Sequence, residues 1–268
     1  MIDLGKRGIL GVKVNAIDYD AAVERTIAAA RKRAAFIVAA LPVHGIMTGA
    51  LDATHRYRLN EFDLVVPDGQ PVRWALNLLY RTGLGNRVYG PNLMLRLCSR
   101  LAEEKLSIYL FGSRSETLEL LENNLRKKFP SIRIAGRKEG RFATISTAER
   151  ESICRDIRDS GASLAFVGLG CPRQEIWAYE NRHQAGIPIV CVGAAFDFHA
   201  GTVRQAPEPL QRIGLEWAFR LFREPRRLWR RYLMLNPLYV AMVSAQASGL
   251  VDYERRPVIA PVADTNLA

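Results

Sequence analysis

Leu164-Ala165-Phe166-Val167-Gly168-Leu169-Gly170-Cys171-Pro172-Arg173-Gln174-Glu175 is an apolar run that breaks into a glycine-rich turn, then meets a proline and a polar Arg-Gln-Glu set. That order suits a strand, a loop and the first turn of a helix. About twenty residues on, the pattern returns: Ile187-Pro188-Ile189-Val190-Cys191-Val192-Gly193 leads into Ala194-Ala195-Phe196-Asp197. Short uninterrupted apolar runs mark strands buried on both faces of a parallel sheet, and ligands bind where the carboxyl ends of such strands open into loops. Two such ends close together predict a crevice for a phosphate-bearing ligand.

Outward from these runs, helix and strand alternate. Asp18 is placed to cap a helix over about 19–33, and strands are expected at 35–41, 63–67, 106–111, 132–135, 163–167 and 188–192. Helices fit about 45–60, 71–80, 91–104, 115–129, 147–160 (capped by Ser146 or Thr147) and 173–185. This rhythm predicts an α/β fold: a Rossmann-like parallel sheet with helices on both faces. After about residue 205 it stops, and Pro207, Pro209, Pro225 and Pro237 punctuate mostly helical pieces. The expected division is an α/β core over 1–205, a basic amphipathic helical appendage over 206–252 and a disordered tail over 253–268, which has prolines and no periodicity.

At 268 residues, nearly half of them apolar, the chain can bury a full core. Its net charge of +11 is unevenly placed: seven arginines (212, 220, 223, 226, 227, 230, 231) face two glutamates (216, 224) between Arg212 and Tyr232. Such an excess points to a polyanion, an anionic lipid surface or a pyrophosphate. Pro225 starts a helix more readily than it continues one, so two helices are expected here. On a helical wheel Arg220, Arg223, Arg227, Arg230 and Arg231 cluster, while Trp217, Leu221, Leu228, Trp229 and Tyr232 take another side. Basic and aromatic faces side by side suit a membrane interface. They equally suit a solvated basic face on a core-packed helix. No nucleic-acid recognition module is visible. Residues 232–251 carry no charge, but Asn236, Pro237, Ser244, Gln246, Ser248 and Gly249 interrupt them, which favours lying on a membrane over spanning it. Residues 1–13 lack the apolar stretch of a signal peptide. Cys98, Cys154, Cys171 and Cys191 are scattered without a CxxC pair and read as reduced and structural, in keeping with the cytoplasm. No cofactor is expected. No metal site is expected either, since Asp18-Tyr19-Asp20 is the lone Asp-x-Asp and sits where a helix start favours acids anyway.

Several strand ends carry groups that could do chemistry. In Pro67-Asp68-Gly69-Gln70 a carboxylate stands at a strand mouth, as a general base or only as the cap of the next helix. Arg87-Val88-Tyr89-Gly90-Pro91-Asn92 offers a guanidinium just before a helix start, a pairing suited to a diphosphate. Phe111-Gly112-Ser113-Arg114 and Gly136-Arg137-Lys138-Glu139-Gly140-Arg141-Phe142 are glycine turns after strands, each unspecific alone. Gly168 and Gly170 begin like a dinucleotide fingerprint, but the third glycine is missing and Pro172 takes a packing position, which argues against NAD. Gln174 and Glu175 can either bind polar ligand edges or complement the helix dipole.

Taken in order, these motifs resemble the WecG/TagA/CpsF family of bacterial glycosyltransferases (glycosyltransferase family 26). The resemblance rests on Pro67-Asp68-Gly69, Arg87-x-x-Gly90-x-x-Leu93, the Gly112 turn, Gly140-x-Phe142 and Val167-Gly168-Leu169-Gly170-x-Pro172-x-Gln174-Glu175. It continues through Gly193-x-x-Phe196-Asp197-x-x-x-Gly201, Arg204-x-Ala206-Pro207, Leu215-Glu216-Trp217-x-x-Arg220-Leu221 and Glu224-Pro225-x-Arg227. It implies an inverting, metal-independent enzyme that moves a sugar from a UDP-sugar to a polyprenyl-diphosphate-linked saccharide, on the inner face of the cytoplasmic membrane. The products would be precursors of exopolysaccharide, capsule, teichoic acid or enterobacterial common antigen. It places the base on Asp68 and the diphosphate-binding arginines on Arg220, Arg227 and Arg230. The donor is then expected among His44, Gly69, Arg87, Gly90, Asn92, Gly112, Ser113, Gly140, Phe142, Gly168, Gly170, Gln174, Glu175, Phe196 and Asp197. A homo-oligomer is left open, and no nucleic-acid partner is implied.

One departure stands out. The family often carries Thr-x-Asn-x-x-His after its first core strand; here the stretch reads Ala39-Ala40-Leu41-Pro42-Val43-His44. His44 matches, while the Thr and Asn are replaced by Ala39 and Leu41. The alternative reading is therefore a non-catalytic lipid- or polyanion-binding protein on a degenerate transferase core.

Overall fold

The computed structural model describes residues 1–141, 143–253 and 255–262. An antiparallel hairpin comes first, β1 (Asp3–Ile9) and β2 (Val12–Ile17), turning through Leu10 and Gly11, both at positive φ. The sequence reading has no strand before the first helix. In β1, Asp3, Lys6 and Arg7 interrupt the apolar residues and only Gly8 and Ile9 are buried, so no apolar run announces it. Then follow α1 (Tyr19–Lys32), β3 (Ile37–Leu41), α2 (Val43–Leu51), α3 (Ala53–Asn60), β4 (Leu64–Pro67), α4 (Gln70–Tyr80), α5 (Gly90–Glu103) and β5 (Ser107–Gly112). Next are α6 (Ser115–Lys128), β6 (Arg133–Lys138), α7 (Thr147–Asp159), β7 (Leu164–Gly168), α8 (Arg173–Ala185), β8 (Ile189–Cys191) and α9 (Ala195–Ala200). The chain closes with α10 (Glu208–Arg212), α11 (Glu216–Arg223) and α12 (Pro225–Ala247). Asp18 caps α1, its carboxylate accepting from Ala21 N at 2.9 Å, and Ser146 caps α7. Pro225 opens α12 as a separate helix, as its φ preference requires.

Six strands, β3 to β8, form one parallel sheet in the order β4-β3-β8-β7-β5-β6. The pleat sends alternate residues to opposite faces. In β3, Ile37, Ala39 and Leu41 enter a core closed by the hairpin, α2, α4, α8 and α12, while Val38 and Ala40 enter a second core under α1, α5, α6 and α9. Burial on both faces explains why the strands read as continuous apolar runs.

The C-terminal segment is fastened to the core. Tyr239 (3% exposed) and Val243 join the first core, and the Tyr239 hydroxyl donates to the Pro71 carbonyl at 3.2 Å. Gln246 reaches the opening hairpin: its Oε1 accepts from Leu10 N and its Nε2 donates to Gly8 O, both at 2.9 Å. Tyr253, where the expected tail begins, is buried in the same core. Arg56 donates to the Pro257 carbonyl at 2.5 Å and Ile259 N to Ala53 O at 3.4 Å. Packed chain thus runs past residue 252; the rest of the expected tail, 263–268, lies outside the described residues, as does Phe142. Cys98, Cys154 and Cys191 are buried and Cys171 is half-buried. Among the described residues no helix is long and apolar enough to cross a membrane.

Candidate active site

Asp68 sits where β4 ends. Pro67 closes the strand, and Asp68 N still donates to Leu41 O at 3.2 Å, so the β3 ladder sets the backbone. The side chain is not used as a cap for α4, whose N-cap is Gly69. Instead Oδ1 accepts from Gly90 N at 2.7 Å, the first residue of α5. Gly90 has to be small: a Cβ there would lie 3.2 Å from Ala40 Cβ and 3.8 Å from Asp68 Oδ1. Surrounded by protein yet still reached by solvent, the Asp68 carboxyl is pushed up from 3.8 to about 6, chiefly by burial. The Arg87 charge, the Gly90 N–H and the Arg220 charge pull it down, and the Glu216 charge adds to the rise. A base near this value is matched to proton removal around neutral pH.

Arg87 is buried against this centre. Its Nη2 donates to Glu216 Oε2 at 2.7 Å and to Gln211 Oε1 at 3.3 Å, and its guanidinium stacks on the Tyr89 ring at 4.1 Å. The Tyr89 hydroxyl donates to Glu216 Oε1 at 2.8 Å, while Tyr89 N donates to the Tyr19 hydroxyl at 2.9 Å. Burial raises the pKa of both tyrosines. Helix α11 therefore touches the support of the Asp68 carboxylate. Glu216, Tyr89 and Tyr19 were not among the expected site residues. The available signals for Glu216 were its place in the Leu215-Glu216-Trp217 motif of the resemblance and its position as an acid at the head of an arginine-rich helix.

The glycine turns lie at the ends of β5 and β7, and the structure gives several of them a packing reason. A Cβ at Gly112 (φ +105°) would meet the Gly168 carbonyl carbon at 2.8 Å, and one at Gly168 would meet the Phe196 ring at 2.6 Å. Gly140 fits against Leu169 and Gly112 in the same way, and Gly140 N donates to Ser113 O at 3.1 Å. These residues let the ends of β5 and β7 and Phe196 touch. Gly170 (φ +79°) has no neighbour within 4 Å of a Cβ, so only its conformation requires glycine. Ser113 holds a positive φ of 63° without being glycine, a strain of the kind that collects at binding loops. Gln174 and Glu175 are buried in the first turn of α8: Gln174 Nε2 donates to Glu175 Oε1 at 2.8 Å, and Gln174 Oε1, close to Gly193, has no partner.

Asp197 opens α9 with its carboxyl raised by burial and lowered by Arg227, Arg220 and Arg114. Arg220 thus acts on both Asp68 and Asp197; its guanidinium lies 5.7 Å from the Phe198 ring and its Nε is buried without a partner. Arg227 pairs with Glu224 at 2.6 Å, and Arg230 lies exposed over the Trp229 ring at 5.3 Å. His44 occupies the first turn of α2, whose preceding Pro42 abuts Gly69. Asn92 is exposed in the first turn of α5, within hydrogen-bonding reach of the Tyr19 hydroxyl. From the β4 end to the β5 end the crevice crosses four strand spacings, roughly 19 Å. Among the described residues no group of three or more His, Cys, Asp or Glu could hold a metal ion.

This arrangement offers one poised carboxylate, cationic side chains on two sides and a floor of close-packed glycine turns. A family model described as the glycosyl transferase WecG/TagA/CpsF family matches residues 7–251, from the hairpin to the end of α12. The chain is also similar to the N-acetylglucosaminyldiphosphoundecaprenol N-acetyl-beta-D-mannosaminyltransferase of Bacillus spizizenii, 29% identical over 214 residues that cover 80% of each protein.

Proposed function

The chain belongs to the WecG/TagA/CpsF family of glycosyltransferases, and from that premise we propose that it moves a sugar from a UDP-sugar to a saccharide on a polyprenyl diphosphate. The observation that carries this reading is Asp68, fixed by Gly90 N and flanked by Arg87 and Arg220. Asp68 takes the proton of an acceptor hydroxyl as its oxygen bonds to the anomeric carbon. The bond from that carbon to the diphosphate breaks, and UDP leaves with the electron pair. A single displacement inverts the anomeric centre. Arg220, Arg227 and Arg230 neutralise the departing diphosphate in place of a metal ion, a task that suits guanidinium geometry. The relative's name specifies an N-acetylmannosaminyl donor group and a GlcNAc-diphosphoundecaprenol acceptor, so UDP-N-acetylhexosamines are the first donors to try.

The loss of the family's Thr and Asn does not disturb Asp68. Ala39 and Leu41 are fully buried in the first core, with Leu41 packed on Gly45 of α2. What β3 gives the site is its backbone: the Leu41 carbonyl that receives Asp68 N. This favours a working transferase with an altered sugar preference over a purely binding protein. UDP release should require both a UDP-sugar and a prenyl-diphosphate saccharide and persist in excess chelator. No release with any UDP-sugar would end the reading; loss of turnover on chelation would end the metal-free part of it.

The acceptor's lipid calls for a membrane-facing surface. Phe222 (87% exposed), Trp229, Leu233 and Met234 stand out from α11 and α12 among exposed arginines. Ile213 and Leu215 flank Gly214, which lies against the exposed Trp74 of α4. Apolar side chains ringed by arginine suit an anionic interface. The protein should sediment with vesicles containing anionic lipid. Phe222→Glu with Trp229→Glu should weaken that binding at least ~10-fold, since each large apolar side chain is worth about 1.5–3 kcal/mol when buried. Unchanged sedimentation would place the lipid contact elsewhere.

A further inference from the structure

We propose that Glu216 is a positioning residue: through Arg87 and Tyr89 it fixes the segment that holds the Asp68 carboxylate. This rests on the reading of Asp68 as the base. Residues 87–89 lead into α5 at Gly90, and the contacts along 87–90 alternate. The N–H groups of Val88 and Gly90 donate toward the end of β4, to Pro67 O at 2.9 Å and to Asp68 Oδ1 at 2.7 Å. The side chains of the intervening pair, Arg87 and Tyr89, both end on Glu216, one on each carboxylate oxygen, at 2.7 and 2.8 Å. The strip is thus pinned by its backbone to β4 and by its side chains to α11.

An acid at the head of a helix can serve the dipole alone. Glu216 differs in being only 9% exposed and in turning both oxygens to the core. A buried carboxylate of this kind is tolerable only because its partners are in place. Gln211 of α10 adds a contact to the same guanidinium and is itself held by the Ala206 carbonyl at 2.7 Å. The groups that face this point are Arg87 and Tyr89 ahead of α5, Gln211 of α10, Arg220 of α11 and Asp68 after β4. Two cations balance two anions there. Removing Glu216 leaves a surplus positive charge beside Asp68 and frees Arg87 to turn toward it.

The test is steady-state kinetics on the full chain. Glu216→Ala should lower kcat about 10–100-fold, the scale of a modest misplacement of reacting groups, with a smaller change in the KM of the UDP-sugar. Glu216→Gln, which can still accept from Tyr89, should recover part of that loss. In both variants the acid limb of the kcat/KM profile should move to lower pH. A merely structural residue would cost thermal stability but leave the kcat of the folded variant at the wild-type value, with nothing for glutamine to recover, and that result would overturn the proposal; the shift of the limb reports only the lost charge. If Glu216→Ala does not fold, Tyr89→Phe removes a single hydroxyl and carries the same test, with an expected loss of about 3–10-fold; unaltered kcat in both Tyr89→Phe and Glu216→Gln would also overturn it. Full activity in Asp68→Asn would instead remove the reading beneath it, so the two failures are distinct.

Discussion

Asp68→Asn lowers kcat by about 10²–10⁴-fold, the usual worth of a positioned base, and leaves the protein as stable as before or more so. Asparagine keeps an Oδ1 that can accept from Gly90 N, so the local geometry is retained. What it loses is the ability to take a proton. The stability effect follows from the same burial. The folded pKa of about 6 lies above the ordinary 3.8, so the carboxyl's contribution to stability is fully present below pH 3.8 and is lost as pH rises through about 6. Above that point the folded protein bears the cost of a buried charge, on the order of 1–3 kcal/mol, and asparagine does not. At neutral pH the variant should therefore melt up to a few degrees higher while turning over little or no substrate. In the wild type, kcat/KM should climb with pH through about 6 and level off above it. Turnover in Asp68→Asn equal to wild type, or an acid limb near the ordinary carboxylate range, would mean that another group takes the proton.

Replacing Arg220, Arg227 and Arg230 together by alanine should lower kcat/KM by about 10³-fold or more, since one misplaced donor to a developing anion already costs about 10²–10³. The three are not equal. Arg220 is half-buried and its charge reaches both Asp68 and Asp197, so it should account for most of the loss. Arg227 is exposed and shared with Glu224, and Arg230 lies over Trp229 in solvent, so Arg230→Ala alone should cost least. Arg220 also lowers the Asp68 pKa, so Arg220→Ala should move the acid limb to higher pH, opposite to the shift expected of Glu216→Gln. Kinetics of the single and triple variants with the UDP-sugar varied would show this. Retention of full activity in the triple variant would separate the appendage from the chemistry.

The parallel sheet was legible because strands buried on both sides must be apolar throughout, and Ile37–Leu41 and Leu164–Gly168 have no other way to read. That Asp68 stands at a strand mouth was legible because Pro67 stops a strand directly before an acid; its choice as the base came from the family resemblance. The hairpin was not, since Asp3, Lys6 and Arg7 interrupt the apolar residues of β1. The glycines at 112, 140 and 168 were unspecific as isolated turns; in the fold all three are contact points between neighbouring strand ends, which only the strand order reveals. Glu216 was hidden for a related reason. Its partners lie 127 and 129 residues earlier, and no local pattern carries that distance. The C-terminal segment read as an appendage because its composition changes at 206, whereas its attachment depends on Tyr239, Val243 and Gln246, three unremarkable letters in an uncharged stretch.

Gln246 closes the first turn of the chain from 236 residues away, and β8, made late, takes the middle place between β3 and β7. On the ribosome, then, the earlier strands emerge as two separate half-sheets with no central partner, and the opening hairpin, though packed on β4, α3 and α4, lacks its link to α12 until that helix has left the exit tunnel. Such a molecule cannot be completed piece by piece from its start. The sheet is whole only once β8 joins its two halves, and the turn of the hairpin is bonded only once α12 returns to it.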